Sequence, residues 1–97
     1  MEMEFEWDPS KAASNFEKHN IDFIDAITVF RDPARKESDV TKLKYGEQRW
    51  KTIGMMHNGH MVTVVYTNRD DPDRGTVRRI ISARKVRKNE QQEYDKG

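Results

Sequence analysis

The hydrophobic and polar positions of the first twenty residues predict a short strand followed by a helix. The strand is predicted over residues 3–7, MEFEW. Asp8 can cap the free amides of the helix, Pro9 suits its first turn, and Asn20 can end it. The apolar stripe of this helix consists of Ala12, Ala13 and Phe16. A different stripe, spaced i, i+4, i+7, consists of Lys11, Asn15 and Lys18.

A second helix is predicted over residues 21–30, IDFIDAITVF. Asp22 is placed to cap it, and residues 31–33, RDP, stop it. Its apolar face has the i, i+3, i+4, i+7 spacing of an amphipathic helix and consists of Phe23, Ala26, Ile27 and Phe30. Residues 34–46 are polar and predict at most a weak strand around KESDV.

Residues 49–57 and 60–69 predict a β-hairpin around Asn58-Gly59, a dipeptide that favours a two-residue turn. Such a turn would place His57 opposite His60 and would fix the pairing of the two strands.

Because side chains alternate between the two faces of a strand, this pairing sorts the hairpin residues. One face is expected to carry charged and polar side chains at the end away from the turn, namely Glu47, Arg49, Lys51 and Tyr66. The opposite face is expected to carry Trp50 and Val65, with the helices of residues 9–30 packed mainly on the Trp50 side.

The last third of the chain predicts a third strand over residues 76–83 and a terminal helix over residues 84–97. On that helix one face carries Arg87, Glu90 and Tyr94. The predicted fold is α+β: an N-terminal strand and two helices, then an antiparallel β-meander and a C-terminal helix, with the helices on one face of the sheet. A length of 97 residues suits a single domain, residues 1–97.

The composition predicts a thin core, since Leu, Ile, Val and Phe together number 18 of 97 residues. A net charge of only +1 favours a small folded domain over disorder, and thin cores often depend on a partner. The absence of cysteine excludes disulfides and Cys-based metal sites. No signal peptide or membrane-spanning segment is present, so a cytoplasmic location and no membrane contact are expected.

Charge is distributed unevenly along the chain, with a net of −4 in residues 1–48 and +5 in residues 49–97. Residues 78–88, RRIISARKVRK, contain no carboxylate. Their six cations are Arg78, Arg79, Arg84, Lys85, Arg87 and Lys88. Such asymmetry indicates a nucleic-acid partner, although a basic patch also suits a protein or lipid partner.

Several stretches occur along the chain in a characteristic order: FEWDPSK (5–11), NFEKHNIDF (15–23), AITVFRDP (26–33), EQRWKTIG (47–54), VVYT (64–67), RIISAR (79–84), and Glu90 with Tyr94. In this order they resemble the BrnT family of small RelE-like ribonuclease toxins from bacterial type II toxin–antitoxin pairs. Lys18-His19 matches the KH that closes the first helix of the family. The resemblance implies a RelE-like fold and cleavage of RNA. It also implies neutralisation by a BrnA-like ribbon-helix-helix antitoxin, in a hetero-oligomer that meets DNA only through the antitoxin.

RNA cleavage without a metal uses the 2′-OH as nucleophile and needs a base, an acid and cations around the phosphate. The catalytic candidates are Lys18, His19, Glu47, Arg49, Arg79, Arg84 and Tyr94. The RNA-binding candidates are Lys51, Arg78, Lys85, Arg87 and Lys88. No cofactor or metal is expected, since His57 and His60 flank the turn without a neighbouring carboxylate in the sequence.

Structural roles would also account for these residues. Glu47 and Arg49 can form a surface ion pair, His19 suits a helix C-terminus, and Tyr94 can pack the last helix. Arg79 and Arg84 can belong to a salt-bridged face, and in a straight strand they lie on opposite faces unless the chain turns near residues 82–83. For the whole chain, the alternatives are a non-catalytic nucleic-acid-binding module or a degenerate toxin that binds only its antitoxin.

Overall fold

The computed structural model describes residues 3–41 and 46–97; residues 42–45 of the polar 34–46 segment lie outside the described residues. The helical elements are α1 (Pro9–His19), α2 (Phe23–Ala26), a 3-10 helix that continues α2 (Ile27–Arg31), and α3 (Lys88–Asp95). The strands are β1 (Glu4–Glu6), β2 (Lys36–Asp39), β3 (Trp50–Met55), β4 (Met61–Asp71) and β5 (Gly75–Lys85). The predicted α+β class and order of elements are confirmed, including a short β2 within KESDV.

Within the described residues, the five strands form one mixed sheet in the order β1-β5-β4-β3-β2. The predicted antiparallel meander is β3-β4-β5, and β2 pairs antiparallel with β3. β1 pairs parallel with β5 and so brings Glu6 beside Arg79. Sequence patterns had predicted β1 but not its partner.

The start and end signals of α1 act as predicted. The Asp8 carboxylate accepts a hydrogen bond from the Ser10 N–H at 2.8 Å, and Asn20 ends the helix in the left-handed conformation with φ 57°. Asp22 lies at the N-cap position of α2, but it makes no side-chain capping bond, so that prediction is wrong.

α1 presents Asn15 to the sheet, whereas Phe16, expected in the buried stripe, is 44% exposed. The buried Asn15 amide donates to the Ala83 carbonyl at 2.9 Å and accepts from the Ala83 N–H at 3.1 Å. β1 pairs with β5 only as far as Arg79, and further along β5 the Asn15 side chain bonds the backbone of Ala83. A buried backbone N–H or C=O needs a partner, which explains a polar residue at this place in the core.

We expect Asn15→Ala to lower the free energy of unfolding by about 2 kcal/mol, because it leaves the Ala83 N–H and C=O unpaired in the interior. Urea unfolding measures the change. Ser14→Ala is the matched control, since Ser14 is exposed on the same helix and its loss should change stability by less than about 0.5 kcal/mol. Equal effects of the two substitutions would contradict this role of Asn15.

The main hydrophobic core lies between the first two helices and one face of the sheet, named here the α1/α2 face. Its buried members are Ile21, Phe23, Ala26, Val29, Met56, Val62, Val64, Tyr66, Ile80 and Ala83. Trp50 packs against this cluster, which confirms that the helices lie on the Trp50 side. β3 contains Gly54 because a Cβ at that position would lie 2.7 Å from Cγ2 of Val29.

The pairing of β3 with β4 differs from the predicted one by one residue. Lys51 pairs with Val65 and Trp50 pairs with Tyr66, so the predicted placement of Tyr66 beside Lys51 is wrong. A shift of one residue exchanges the faces of every side chain in one strand. Tyr66 therefore joins Trp50 in the core, and Val65 shares the other face with Lys51.

The shift arises because the turn contains three residues, 57–59, instead of the predicted two. The Met56 N–H still donates to the His60 carbonyl at 2.8 Å, so residues 57–59 remain for the turn. Gly59 has a φ of 86°, the left-handed conformation that the last position of a three-residue hairpin turn requires. Asn-Gly thus predicted the hairpin correctly, but the predicted length of the turn was wrong.

A β-bulge in β5 changes the position of the basic residues. The register with β4 shifts between Val65 and Tyr66 because Ile81 is an extra residue in β5. The extra residue shifts the alternation of side chains in β5 by one position. Arg79 and Arg84 therefore lie on the same face without a turn in the chain. In a straight strand the two arginines would lie on opposite faces, and the bulge is what brings them to the same face.

α3 begins at Lys88 instead of Arg84, because β5 continues to Lys85. It lies on the sheet face opposite α1 and α2, where the Glu90 carboxylate meets Lys51 and Thr63. The prediction of helices on only one face is wrong. We name this second surface the α3 face.

Candidate active site

Cations from three strands share the α3 face. Lys51 comes from β3, Arg69 from β4, and Arg79 with Arg84 from β5. The cross-strand register and the bulge at Ile81 produce this grouping. It joins three of the residues predicted from the sequence with one, Arg69, that was not predicted.

Glu47 lies between two arginines at the end of the sheet away from the hairpin turn. Its carboxylate oxygens are 3.3 Å from Nη2 of Arg49 and 3.8 Å from Nη2 of Arg69. The Thr67 hydroxyl donates to the Gln48 carbonyl at 2.7 Å and so fixes this segment against β4. The Glu47 side chain keeps 33% of its surface exposed, so a substrate hydroxyl can reach it.

Arg79 stands beside Thr67 in the sheet and donates to Glu6 of β1 at 2.8 Å. Arg74 binds the other oxygen of Glu6 at 2.7 Å. Hydrogen bonds from Arg74 and Arg79 hold the pKa of Glu6 below its ordinary value, so this carboxylate is charged at neutral pH. Glu6 has two partners and keeps one cation if Arg79 turns toward a substrate.

Arg84 is bound to a carboxylate within the protein, that of Glu90. Its two terminal nitrogens donate to both oxygens of Glu90, at 2.7 and 2.9 Å. Lys51 at 3.2 Å, Thr63 at 3.0 Å and the Arg87 N–H at 2.8 Å complete the contacts of this carboxylate. In this arrangement Arg84, one of the catalytic candidates of the sequence, holds α3 on the sheet.

Glu90 stays ionised although only 2% of its surface is exposed. Burial raises the pKa of Glu90, but the hydrogen bonds from Arg84, the Arg87 N–H, Lys51 and Thr63 outweigh burial and lower the pKa to about 2. A charged, fully bonded carboxylate under α3 is typical of a structural ion network.

Three predicted catalytic residues lie apart from Glu47. The Tyr94 hydroxyl donates to Asp32 at 2.7 Å, beside the end of β3 where Asp32 also accepts the Met55 N–H. That hydrogen bond, followed by burial, raises the pKa of Tyr94. Lys18 and His19 are exposed at the end of α1, on the α1/α2 side of the sheet. The structure therefore gathers Glu47, Arg49, Arg79 and Arg84 on one face, and it does not bring Tyr94, Lys18 or His19 to them.

The predicted RNA-binding residues occupy three places. Lys85, Arg87 and Lys88 are exposed where β5 leads into α3, and Lys51 stands on the α3 face. Arg78 points to the α1/α2 face, where its guanidinium lies 4.5 Å from the ring centroid of Phe30. That stacking gives Arg78 a packing role on the opposite side from Lys51.

No metal centre forms among the described residues 3–41 and 46–97, where no three His, Cys, Asp or Glu side chains converge. His57 does have a carboxylate neighbour, Asp25 at 2.9 Å, which the sequence had not indicated. In that same part of the chain, none of the helices has the length and apolar character that crossing a membrane requires.

Comparison with known proteins matches this chain to one family. The family described as "Ribonuclease toxin, BrnT, of type II toxin-antitoxin system" matches residues 7–90. Among solved structures, the chain is similar to the Brucella abortus ribonuclease toxin BrnT, with a TM-score of 0.62 and 22% identity over 90% of this chain and 100% of that chain. At this identity the likeness supports the fold. No curated protein matches the chain.

Proposed function

Because this chain belongs to the BrnT family of ribonuclease toxins from type II toxin–antitoxin systems, we propose that it is a metal-independent endoribonuclease. One observation carries the proposal: Glu47, Arg49 and Arg79 share a partly exposed region of the α3 face. This region combines a carboxylate that can accept a proton with guanidinium groups that can bind phosphate oxygens in pairs.

In the proposed reaction, Glu47 takes the proton of a ribose 2′-OH, and the 2′ oxygen attacks the adjacent phosphorus. The bond from phosphorus to the 5′ oxygen breaks, and that oxygen takes a proton from Lys51 or water. Arg49 and Arg79 stabilise the negative charge that grows on the phosphate oxygens. The products are a 2′,3′-cyclic phosphate and a 5′-OH.

Arg79 can leave its carboxylate partner at modest cost. Glu6 keeps its 2.7 Å contact with Arg74 when Arg79 turns toward a phosphate. Arg84 lacks this freedom, because Glu90 is buried and Arg84 gives it two hydrogen bonds. We therefore assign phosphate binding to Arg79 and Arg49, with Lys51 in support.

The toxin–antitoxin family implies an antitoxin partner as well as an RNA substrate. We propose a BrnA-like ribbon-helix-helix protein that forms a hetero-oligomer with this chain in the cytoplasm and supplies its contact with DNA. Exposed apolar side chains support a protein partner, since Ile24 is 68% and Met3 37% exposed.

A second candidate function is a toxin that has lost catalysis and only binds its antitoxin. The ion pairs favour it, since Arg79 already contacts Glu6, and both Lys51 and Arg84 contact Glu90. Cations held in this way bind phosphate less readily than free ones.

Digestion of a defined RNA oligonucleotide separates the two functions. We expect products with 2′,3′-cyclic phosphate and 5′-OH ends, unchanged rates in EDTA, and no cleavage where the attacking nucleotide is 2′-deoxy. Glu47→Gln is the control that keeps the fold and removes the base. Complete inhibition by EDTA that added metal reverses would contradict the mechanism, and intact RNA in every reaction would favour the binding-only function.

A further inference from the structure

A cleft of about 500 Å³ opens at the hairpin end of the sheet, on the side of α1 and α2. It lies between the end of α1, the β3–β4 turn and the last residues of β5. This volume falls within the range of small-molecule sites, about 300–1,000 Å³. The proposed cleavage reaction uses none of its residues.

The floor of the cleft is apolar and contains a buried methionine, Met56. Ile21 and Met56 are buried members of the core, and Met61 and Val86 also line the cleft. Methionine thioethers are polarizable and adapt to flat aromatic rings. This floor suits the face of a planar heterocycle.

The rim of the cleft offers hydrogen-bond donors and a cation. Asn58 uses its side-chain oxygen to accept the His60 N–H at 3.0 Å, which leaves the two amide hydrogens of Asn58 as donors. The exposed Lys85 adds an ammonium group, and the imidazole of His60 can donate to an oxygen. The rim carboxylate Asp25 is bonded to His57 at 2.9 Å.

We propose that this cleft binds one nucleotide of the RNA substrate, with its base on the methionine floor and its phosphate at Lys85 and His60. The proposal rests on the RNA-directed function above. Arg84 and Lys85 are consecutive at the end of β5, so their side chains point to opposite faces, Arg84 toward α3 and Lys85 into the cleft. An RNA strand that crosses this end of the sheet therefore meets both the α3 face and the cleft.

Binding can be measured without cleavage, by amide chemical shifts of the full ¹⁵N-labelled chain. The ligands are the four ribonucleoside 5′-monophosphates and inorganic phosphate. We expect at least one nucleotide to shift the amides of Ile21, Asn58 and Met61 at millimolar concentration, and phosphate alone to shift them much less. Identical shifts with phosphate alone, or no shifts at these amides, would overturn the proposal.

Single-residue variants make the test sharper. Lys85→Ala should weaken the nucleotide affinity roughly tenfold, since it removes a charged contact. Lys11→Ala removes the same charge from an exposed position of α1 outside the cleft and should leave the affinity unchanged. Equal affinities of the Lys85→Ala and Lys11→Ala proteins would overturn the assignment of the phosphate position.

Cleavage assays then distinguish failure of this proposal from failure of the proposed function. His60→Ala should raise KM several-fold and change the preferred nucleotide at a position several nucleotides along the RNA from the cleavage site, with kcat retained. Normal cleavage with unchanged KM and preference in His60→Ala and Lys85→Ala overturns the cleft and keeps the ribonuclease. Nucleotide binding in the cleft of a protein that cleaves no RNA supports the cleft and rejects the ribonuclease.

Discussion

Glu90→Gln is expected to lower the free energy of unfolding by about 3 kcal/mol at neutral pH. The Glu90 carboxylate is 2% exposed, and it receives hydrogen bonds from Arg84, Lys51 and Thr63. Glutamine preserves the shape of the side chain and removes its charge. Arg84 and Lys51 then lose their counter-charge in a place that water reaches poorly.

The same substitution should make the free energy of unfolding depend less on pH in the acid range. Glu90 titrates with a pKa of about 2 in the folded protein, against an ordinary value of 4.5. A lowered folded-state pKa means that the unfolded chain binds the proton more tightly, so stability falls as pH falls. The contribution of Glu90 is complete above pH 4.5 and is lost as pH falls toward 2, a change of about 3 kcal/mol.

Urea unfolding at pH 7 and at pH 3 measures both effects. Glu93→Gln is the matched control, because Glu93 lies exposed on the same helix. The difference in stability between the two variants should be large at pH 7 and should shrink at pH 3. If the two variants have the same stability at both pH values, Glu90 does not hold α3 on the sheet.

This network also determines how an Arg84 variant is interpreted. Arg84→Ala removes two hydrogen bonds from a buried carboxylate, so destabilisation is expected whether or not Arg84 meets RNA. Loss of toxicity in this variant would therefore report on folding. Arg79 provides the clearer test of phosphate binding.

Local signals in the sequence predicted most elements of the fold. Asp8 begins α1 and Asn20 ends it, each through hydrogen bonds to residues a few positions away. Gly59 takes the left-handed conformation that a tight turn needs. Such signals act over a few residues, so the sequence displays them directly. The length of the turn was ambiguous, because Asn-Gly also fits a three-residue loop, and this one residue decided the face of Tyr66.

The pairing of distant elements could not be predicted in the same way. The bulge at Ile81 has no Gly or Pro to mark it, yet it decides that Arg79 and Arg84 share a face. α3 is nearly all polar, and its one buried residue is Glu90, so hydrophobic periodicity gave no sign of the face on which it packs. An ion network anchors this helix on the sheet. Unlike the apolar positions of an amphipathic helix, ion-paired residues do not recur at a regular spacing in the sequence.

The candidate site was predicted in part for related reasons. Glu47 and Arg49 are two residues apart, so the alternation of an extended segment places them on one side, as the structure has them. Their neighbour Arg69 and the partner of Arg79, Glu6, come from β4 and β1. Glu6 and Arg79 are far apart in the sequence, and only the parallel pairing of β1 with β5 brings them together.

Arg79→Ala is expected to slow RNA cleavage about a hundredfold, whereas Arg74→Ala leaves the rate within a few-fold of the wild type. Both arginines bind Glu6, at 2.8 and 2.7 Å, and each substitution leaves the carboxylate one partner. Arg74→Ala also removes ion pairs with Asp71 and Glu4, so its structural effect is at least as large as that of Arg79→Ala. Only Arg79 stands on the α3 face beside Thr67, within the region of Glu47 and Arg49.

Single-turnover rates on an RNA oligonucleotide, together with urea unfolding of both variants, complete the comparison. Each variant should lose about 1 kcal/mol of stability or less, because the pairs with Glu6 are partly exposed. A large rate difference at equal stability assigns Arg79 to the phosphate. Equal losses of rate would mean that the cations act through Glu6 and the position of β1, and phosphate binding would then have to come from Arg49 and Lys51 alone.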